Sequence, residues 1–257
     1  MTPAVSVVLP AYNAAGHIAD TVTALTTFLD SHGWAGEVIV ADDGSTDGTA
    51  AAVPSHPWVQ VVRAPRNRGK GSAVRAGMQR ATGAVRVFTD ADLPYGVEPI
   101  VVARRAIEER GFHAVVGDRT LPGSTYQHEG TSRRLASEVA SFAFRTLITG
   151  GIYDTQCGFK AFRGDVGDEL FRLAQIDGFA LDVELIYLLL KYRLDIKRIP
   201  VQLLFNAGSS VRVVRDSARA ARDVLAMRAN WARGRYRSPG LATILEREVA
   251  SLQAADT

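Results

Sequence analysis

Glu37-Val-Ile-Val-Ala-Asp-Asp-Gly-Ser45 is a short β-branched run that passes directly into two carboxylates and a turn. A run of this length, closed by turn residues, reads as a buried strand. The same change from apolar strand to polar cluster occurs on both sides of it. Val5-Ser-Val-Val-Leu9 gives way to Pro10-Ala-Tyr-Asn13, and Val85 to Thr89 gives way to Asp90-Ala-Asp92. Val59 to Arg63 and Ala114 to Gly117 are two further strands. Helical patterns separate them: Ala15 to Ser31, with Ile18, Val22, Leu25 and Leu29 on one face, then Gly71 to Thr82 and Val97 to Arg110. Strands alternating with helices of about 10 to 15 residues predict βαβ units. The expected fold is α/β, a doubly wound and mostly parallel sheet flanked by helices.

After Asp118 the rhythm changes. Leu121 to Gly130 holds Pro122, Gly123, Ser124 and Gly130 and reads as an exposed loop. Ser132 to Ile148 is predicted helical, Phe159 to Phe162 a short strand, Leu181 to Tyr192 a strongly apolar helix and Ile196 to Phe205 strand-like. Ser217 to Arg233 has an amphipathic pattern, with Ala218, Ala221 and Leu225 on one apolar row and Val224, Met227 and Trp231 on the next. With no repeat and no linker-like stretch, residues 1–257 are expected to form one domain.

Composition removes several classes of protein. At 47% apolar and 22% charged residues, the chain can bury enough surface to offset its ordering entropy, which excludes disorder. Its longest uncharged stretch, Met1 to Ala19, is interrupted by Pro3, Pro10, Asn13 and Gly16, so the ~20 apolar residues of a membrane span are not expected. No basic segment precedes an apolar core and cleavage site, so no secretory signal is expected. The single cysteine, Cys157, suits a reducing compartment, and reads as a small packed hydrophobe rather than a nucleophile. His17, His32, His56, His113 and His128 are too scattered for a zinc site. Charge is unevenly placed: Asn206 to Gly240 contains eight arginines and two aspartates. Arginine forks suit phosphates and anionic headgroups, although a solvated helix face would look the same.

Open α/β sheets bind ligands at the carboxyl ends of their strands. The polar clusters at Asn13, Asp42-Asp43 and Asp90-Asp92 fall there. Asp90 and Asp92 repel each other unless a cation lies between them, and oxygen ligands favour Mg²⁺ or Mn²⁺. The alternative is that they cap the following turn. Gly69-Lys-Gly71 is not a Walker loop, since Ala64 stands where the first glycine is needed. It is not a dinucleotide fingerprint either, since Val74 replaces the third glycine.

Pro10-Ala-Tyr-Asn13, Asp42-Asp-Gly-Ser-Thr-Asp47, Asn67-Arg-Gly-Lys-Gly71 and Thr89-Asp-Ala-Asp92 follow the order and spacing of inverting glycosyltransferase family 2, which has the GT-A fold. Asp154-Thr-Gln-Cys-Gly-Phe-Lys160 and Gly208-Ser-Ser-Val-Arg212 resemble the subgroup of dolichyl- and polyprenyl-phosphate β-glucosyltransferases and, less closely, dolichyl-phosphate mannose synthases. The resemblance spans about residues 4 to 220. It implies a nucleotide-sugar-binding half over 4–118, an acceptor-binding half over 119–216, and a basic amphipathic helix and tail over 217–257.

The resemblance also implies roles. Pro10, Ala11, Tyr12 and Asn13 would pack the nucleotide, with Asp42 or Asp43 accepting from the base. Lys70 would approach the diphosphate. Asp90, Ala91 and Asp92 match the DxD motif, with Asp90 and Asp92 as ligands of Mg²⁺ or Mn²⁺. Mannose synthases add a glutamine ligand two residues on, where this chain has Pro94. Arg119, Arg133 and Ser137 would hold the acceptor phosphate. Asp154 would act as base or acceptor-positioning group, with Asp182 and Glu184 as the alternative base. No Gln-x-x-Arg-Trp motif of the polymerising sugar synthases is present.

The implied reaction is metal-dependent inverting transfer of a hexose from a nucleotide sugar to a polyprenyl or dolichyl phosphate. UDP-glucose is the expected donor, UDP-sugars ranking ahead of GDP-sugars. A soluble or natural-product acceptor is the second reading, and a non-catalytic nucleotide-sugar-binding protein the third. The expected location is cytoplasmic, with peripheral contact at the cytoplasmic membrane face through the basic helix. Nucleic acid is not an expected partner.

Overall fold

The computed structural model describes residues 3–124, 154–204 and 213–255. The predicted helix over 132–148 and the Gly208–Arg212 motif lie outside them. Seven strands form one sheet in the order β3-β2-β1-β4-β6-β5-β7. They are β1 (Val5–Ala11), β2 (Gly36–Asp42), β3 (Val59–Arg63), β4 (Val85–Phe88), β5 (Ala114–Asp118), β6 (Lys160–Arg163) and β7 (Ile196–Pro200). All pairings are parallel except those of β6, which runs antiparallel between β4 and β5.

The apolar strands are buried on both faces, as a sheet covered by helices requires. On β1, Val7 and Leu9 join a core with Ile18, Val22 and Leu25 of α1 (Ile18–Ser31) and Ile100 and Ala103 of α4 (Glu98–Glu108). Val8 faces the opposite core. There it meets α3 (Lys70–Met78), α5 (Gly164–Leu173) and α6 (Leu181–Lys191), with α2 (Thr49–Ala52) following β2 at the margin. Two long helices, α7 (Val213–Ala232) and α8 (Pro239–Ala255), complete the described chain.

Three features depart from the sequence reading. The helix α5 was not expected from the sequence, and Gly164 and Gly167 fall in its first turn. A Cβ on Gly164 would lie 2.8 Å from the Gly83 carbonyl oxygen, so the glycine is there for close packing beside β4. The helix α8 was not anticipated. The expected apolar stripe of the basic helix is also divided. Met227 is buried, Val224 and Trp231 pack on the core, and Trp231 meets the Tyr187 and Tyr192 rings edge-on. Leu225, 69% exposed, points away from them beside exposed Arg222.

Among the described residues no helix is long and apolar enough to cross a membrane.

Candidate active site

Because β1, β2, β4 and β5 run in the same direction, their carboxyl ends share one edge of the sheet. The first two ends are laced together by main-chain and side-chain bonds. Asn13 adopts φ 52°, a left-handed conformation that asparagine tolerates. Its amide donates to Ser45 Oγ at 2.9 Å, and its Oδ1 accepts from the Thr46 amide at 3.0 Å. The Ala14 amide donates to Thr49 Oγ1 and the Ala15 amide to Asp47 Oδ2. The ends of β1 and β2 are thereby fixed against each other, with Tyr12, 50% exposed, beside them.

Asp42 and Asp43 have different work. Asp43 shapes the following loop, its two oxygens accepting from the Arg68 amide at 3.0 Å and the Gly69 amide at 2.7 Å. Asp42 Oδ1 accepts from the Ser45 amide. Its Oδ2 is buried without a hydrogen-bond partner, 3.3 Å from the Arg63 guanidinium.

The glycines around Lys70 have a packing explanation that spacing alone did not reveal. A Cβ on Gly69 would lie 2.6 Å from the Asp177 carbonyl oxygen, and one on Gly71 2.6 Å from that of Ile176. Residues 176–178 thus cross directly over the first turn of α3, where the Ser72 amide donates to the Asp177 carbonyl. Lys70 is held between these contacts, and its ammonium donates to Asp90. Burial lowers the Lys70 pKa, but the Asp90 and Asp182 charges outweigh it and raise the value above that of an ordinary lysine.

Asp90 and Asp92 leave β4 on a turn closed by the main chain, Leu93 N–H to Asp90 carbonyl, while Thr21 Oγ1 holds the Ala91 carbonyl. The turn therefore does not account for the Asp90 side chain, which Lys70 engages. Asp92 has its pKa raised by burial and then by the Asp90 charge. Among the described residues no group of three or more His, Cys, Asp or Glu side chains could hold a metal. The chain thus offers two repelling carboxylates and no closed cage, a donor set that fits a divalent ion shared with a phosphate ligand.

Antiparallel β6 brings the 154–160 segment to this edge by pairing Lys160 with Phe88. A Cβ on Gly158 would lie 1.9 Å from Asp90 Oδ2, so the glycine is required for the carboxylate to stand where it does. Gly158→Ala is expected to keep its fold and lose about a hundredfold in turnover, because it displaces a side chain and not the backbone. Melting and turnover measured together check this.

On the other side of Asp90, Arg119 forms a two-pronged pair with Asp154, Nε to Oδ2 and Nη2 to Oδ1, both 2.8 Å, and its amide adds a third bond. Burial raises the Asp154 pKa, but the Arg119 guanidinium outweighs it and holds the carboxyl below the usual range. That makes Asp154 a weak base and a firm anchor. Arg119 is itself placed by Asp118, which accepts from Arg198 and from Thr120. The Arg133 and Ser137 assignments lie outside the described residues.

Asp182 pairs with Lys160 at 2.5 Å, both buried, and Lys160 also donates to the Cys157 carbonyl. Glu184 is wholly buried, its carboxylate accepting from the Gln175 and Ile176 amides and the Tyr236 hydroxyl. Burial pushes the Cys157 thiol up to about 11, in keeping with a packed, unreactive residue. Sequence reading gave no role to Lys160, Asp177 or Tyr236. A signal was present for the first: the chain has only four lysines among thirty basic residues, and Lys70 and Lys160 are the two that pair with aspartates at this edge.

A mostly parallel α/β sheet with paired carboxylates at its carboxyl edge is the architecture of glycosyltransferases of the GT-A fold. Residues 6–171 match the Glycosyl transferase family 2 profile, and the chain belongs to that family. It is 29% identical over 256 residues to dolichyl-phosphate beta-glucosyltransferase of Saccharomyces cerevisiae, covering 90% of this chain and 76% of the yeast protein. The corresponding Homo sapiens enzyme is 26% identical, covering 92% and 78%. Among solved structures, mannosyl-3-phosphoglycerate synthase from Rubrobacter xylanophilus superposes with a TM-score of 0.67 at 19% identity, covering 93% of this chain and 78% of that one. Glucosyl-3-phosphoglycerate synthase from Mycobacterium tuberculosis, in complex with Mn²⁺, uridine diphosphate and glucosyl-3-phosphoglycerate, gives 0.60 at 20% identity, covering 88% and 80%.

Proposed function

We propose that this glycosyltransferase moves glucose from UDP-glucose to a polyprenyl phosphate with inversion at the anomeric carbon. The observation that carries the reading is the pairing of two opposed features across one edge. Asp90 and Asp92 stand at the end of β4, and Arg119, held by Asp154, stands beyond β6 at the end of β5. The relatives named dolichyl-phosphate beta-glucosyltransferase support the choice of donor sugar and acceptor.

Tyr12 offers a face for the base, and Asp42 or Asp43 accepts from its imide. Lys70 retains donors beyond the one given to Asp90 and turns them to the diphosphate. Asp90 and Asp92 hold Mg²⁺ or Mn²⁺, which when bound neutralises charge on the departing diphosphate. A phosphate monoester has a second pKa near ~6 and is already ionised at pH 7, so the nucleophile needs no strong base. Orientation is the larger demand, and Arg119 meets it through guanidinium N–H donors other than the two given to Asp154. The low basicity of Asp154 agrees with an anchoring role.

A second reading, a soluble phosphorylated acceptor, is favoured by the phosphoglycerate synthases among the structural neighbours. Arg119 would serve either acceptor. Labelled UDP-glucose, GDP-mannose, UDP-GlcNAc and UDP-galactose, each offered with a short polyprenyl phosphate or with 3-phosphoglycerate, separate the two. The expected result is organic-extractable product from UDP-glucose alone; label confined to an aqueous sugar phosphate favours the second reading.

A further inference from the structure

The segment 175–178 is a strap fixed on two sides. From within, Glu184 accepts from the Gln175 amide at 2.9 Å and the Ile176 amide at 3.0 Å, and the Tyr236 hydroxyl donates to the same carboxylate. From the surface, Asp177 is clamped by Arg75 of α3 and by Arg68 of the loop before it. The strap's carbonyls press on Gly69 and Gly71 so closely that neither position can carry a side chain without displacing backbone. Lys70 lies between them. Tyr236 belongs to the turn joining α7 to α8, and its carbonyl accepts from the Tyr192 hydroxyl, which in turn accepts from the Ser238 amide.

We propose that Tyr236 and Glu184 are positioning residues for the donor site, acting through the 175–178 strap to fix the Lys70 loop. The inference rests on the reading of Lys70 as a diphosphate contact. A buried carboxylate needs its partners to stay in one place, since an unmet lone pair in the interior is costly. Here those partners are the amides of the strap, so the carboxylate's own requirement defines where the strap runs. The strap's carbonyls then define the height of the α3 N-terminus. The α7–α8 hairpin, remote in sequence, therefore contributes to nucleotide binding without touching the nucleotide.

Tyr236→Phe removes the hydroxyl and keeps the ring. Hydrogen exchange of the Gln175 and Ile176 amides, both held by Glu184, reads the strap in the unliganded protein, and calorimetry with UDP and Mg²⁺ reads the donor site. Faster exchange at Gln175 and Ile176 is expected, with UDP affinity lowered roughly tenfold, the size of one hydrogen bond to a charged group. In a Lys70→Met background the second substitution should lower affinity no further. Should Tyr236→Phe fail to fold, Asp177→Asn loosens the strap from its outer side and is expected to give the same two changes. Unchanged exchange at Gln175 and Ile176 overturns the relay, as does a UDP loss of equal size in both backgrounds. If Lys70→Met alone leaves UDP affinity unchanged, the donor reading of Lys70 fails and the relay falls with it.

Discussion

Asp92→Ala is expected to lose two orders of magnitude or more in turnover, the usual cost of removing a group that stabilises a leaving group, roughly 3 kcal/mol or more. The protein itself should melt no earlier. Burial and the neighbouring Asp90 charge both raise the Asp92 pKa, so the fold disfavours an ionised carboxylate at this position and its removal relieves that cost. Asp90→Ala is the informative contrast. It strands the Lys70 ammonium, only 17% exposed, and should lower the melting temperature as well as the rate. Turnover at graded Mg²⁺ and thermal melts of both variants check the pair. Full activity of Asp92→Ala in the presence of a chelator would overturn the metal assignment.

Arg119→Ala should be damaging in both stability and acceptor use. It leaves the Asp154 carboxylate, 6% exposed, without its two-pronged partner. Breaking a buried pair from one side costs about 3 kcal/mol. Acceptor use should collapse while UDP affinity changes little, because β6 separates Arg119 at the end of β5 from Asp90 and Asp92 at the end of β4. Asp154→Asn keeps the shape and removes the charge, so its stability loss should be smaller. A collapse of UDP affinity in Arg119→Ala would move this arginine to the diphosphate side.

The strands were legible because each is a β-branched run that stops at a turn. The clusters at their ends were legible because polar residues have little reason to follow buried strands except at an edge that binds something. β6 was harder. Its four residues carry no periodicity, and its antiparallel placement depends on pairing Phe88 with Lys160 across a long intervening stretch. Gly69, Gly71, Gly158 and Gly164 were visible as glycines, but their meaning lies in what approaches them. A single sequence does not show that the Asp177 carbonyl or the Asp90 carboxylate is the neighbour. The basic stretch was legible as a helix, yet pattern alone could not say that Leu225 would stay exposed while Tyr187 and Tyr192 claim Trp231.

The central position of β6 constrains how the chain can be made. β4 and β5 emerge during synthesis before the strand that separates them, and each presents unpaired amides and carbonyls until residues 160–163 arrive. Exposed strand edges template association with other chains. A fragment ending at β5 would hold Asp42, Lys70, Asp90 and Asp92 but leave two open edges in mid-sheet, and should aggregate where the longer chain folds. Attempts to isolate a nucleotide-binding half therefore need to carry β6 with it, and a split of this protein into complementing pieces is better placed after Leu173 than after Asp118.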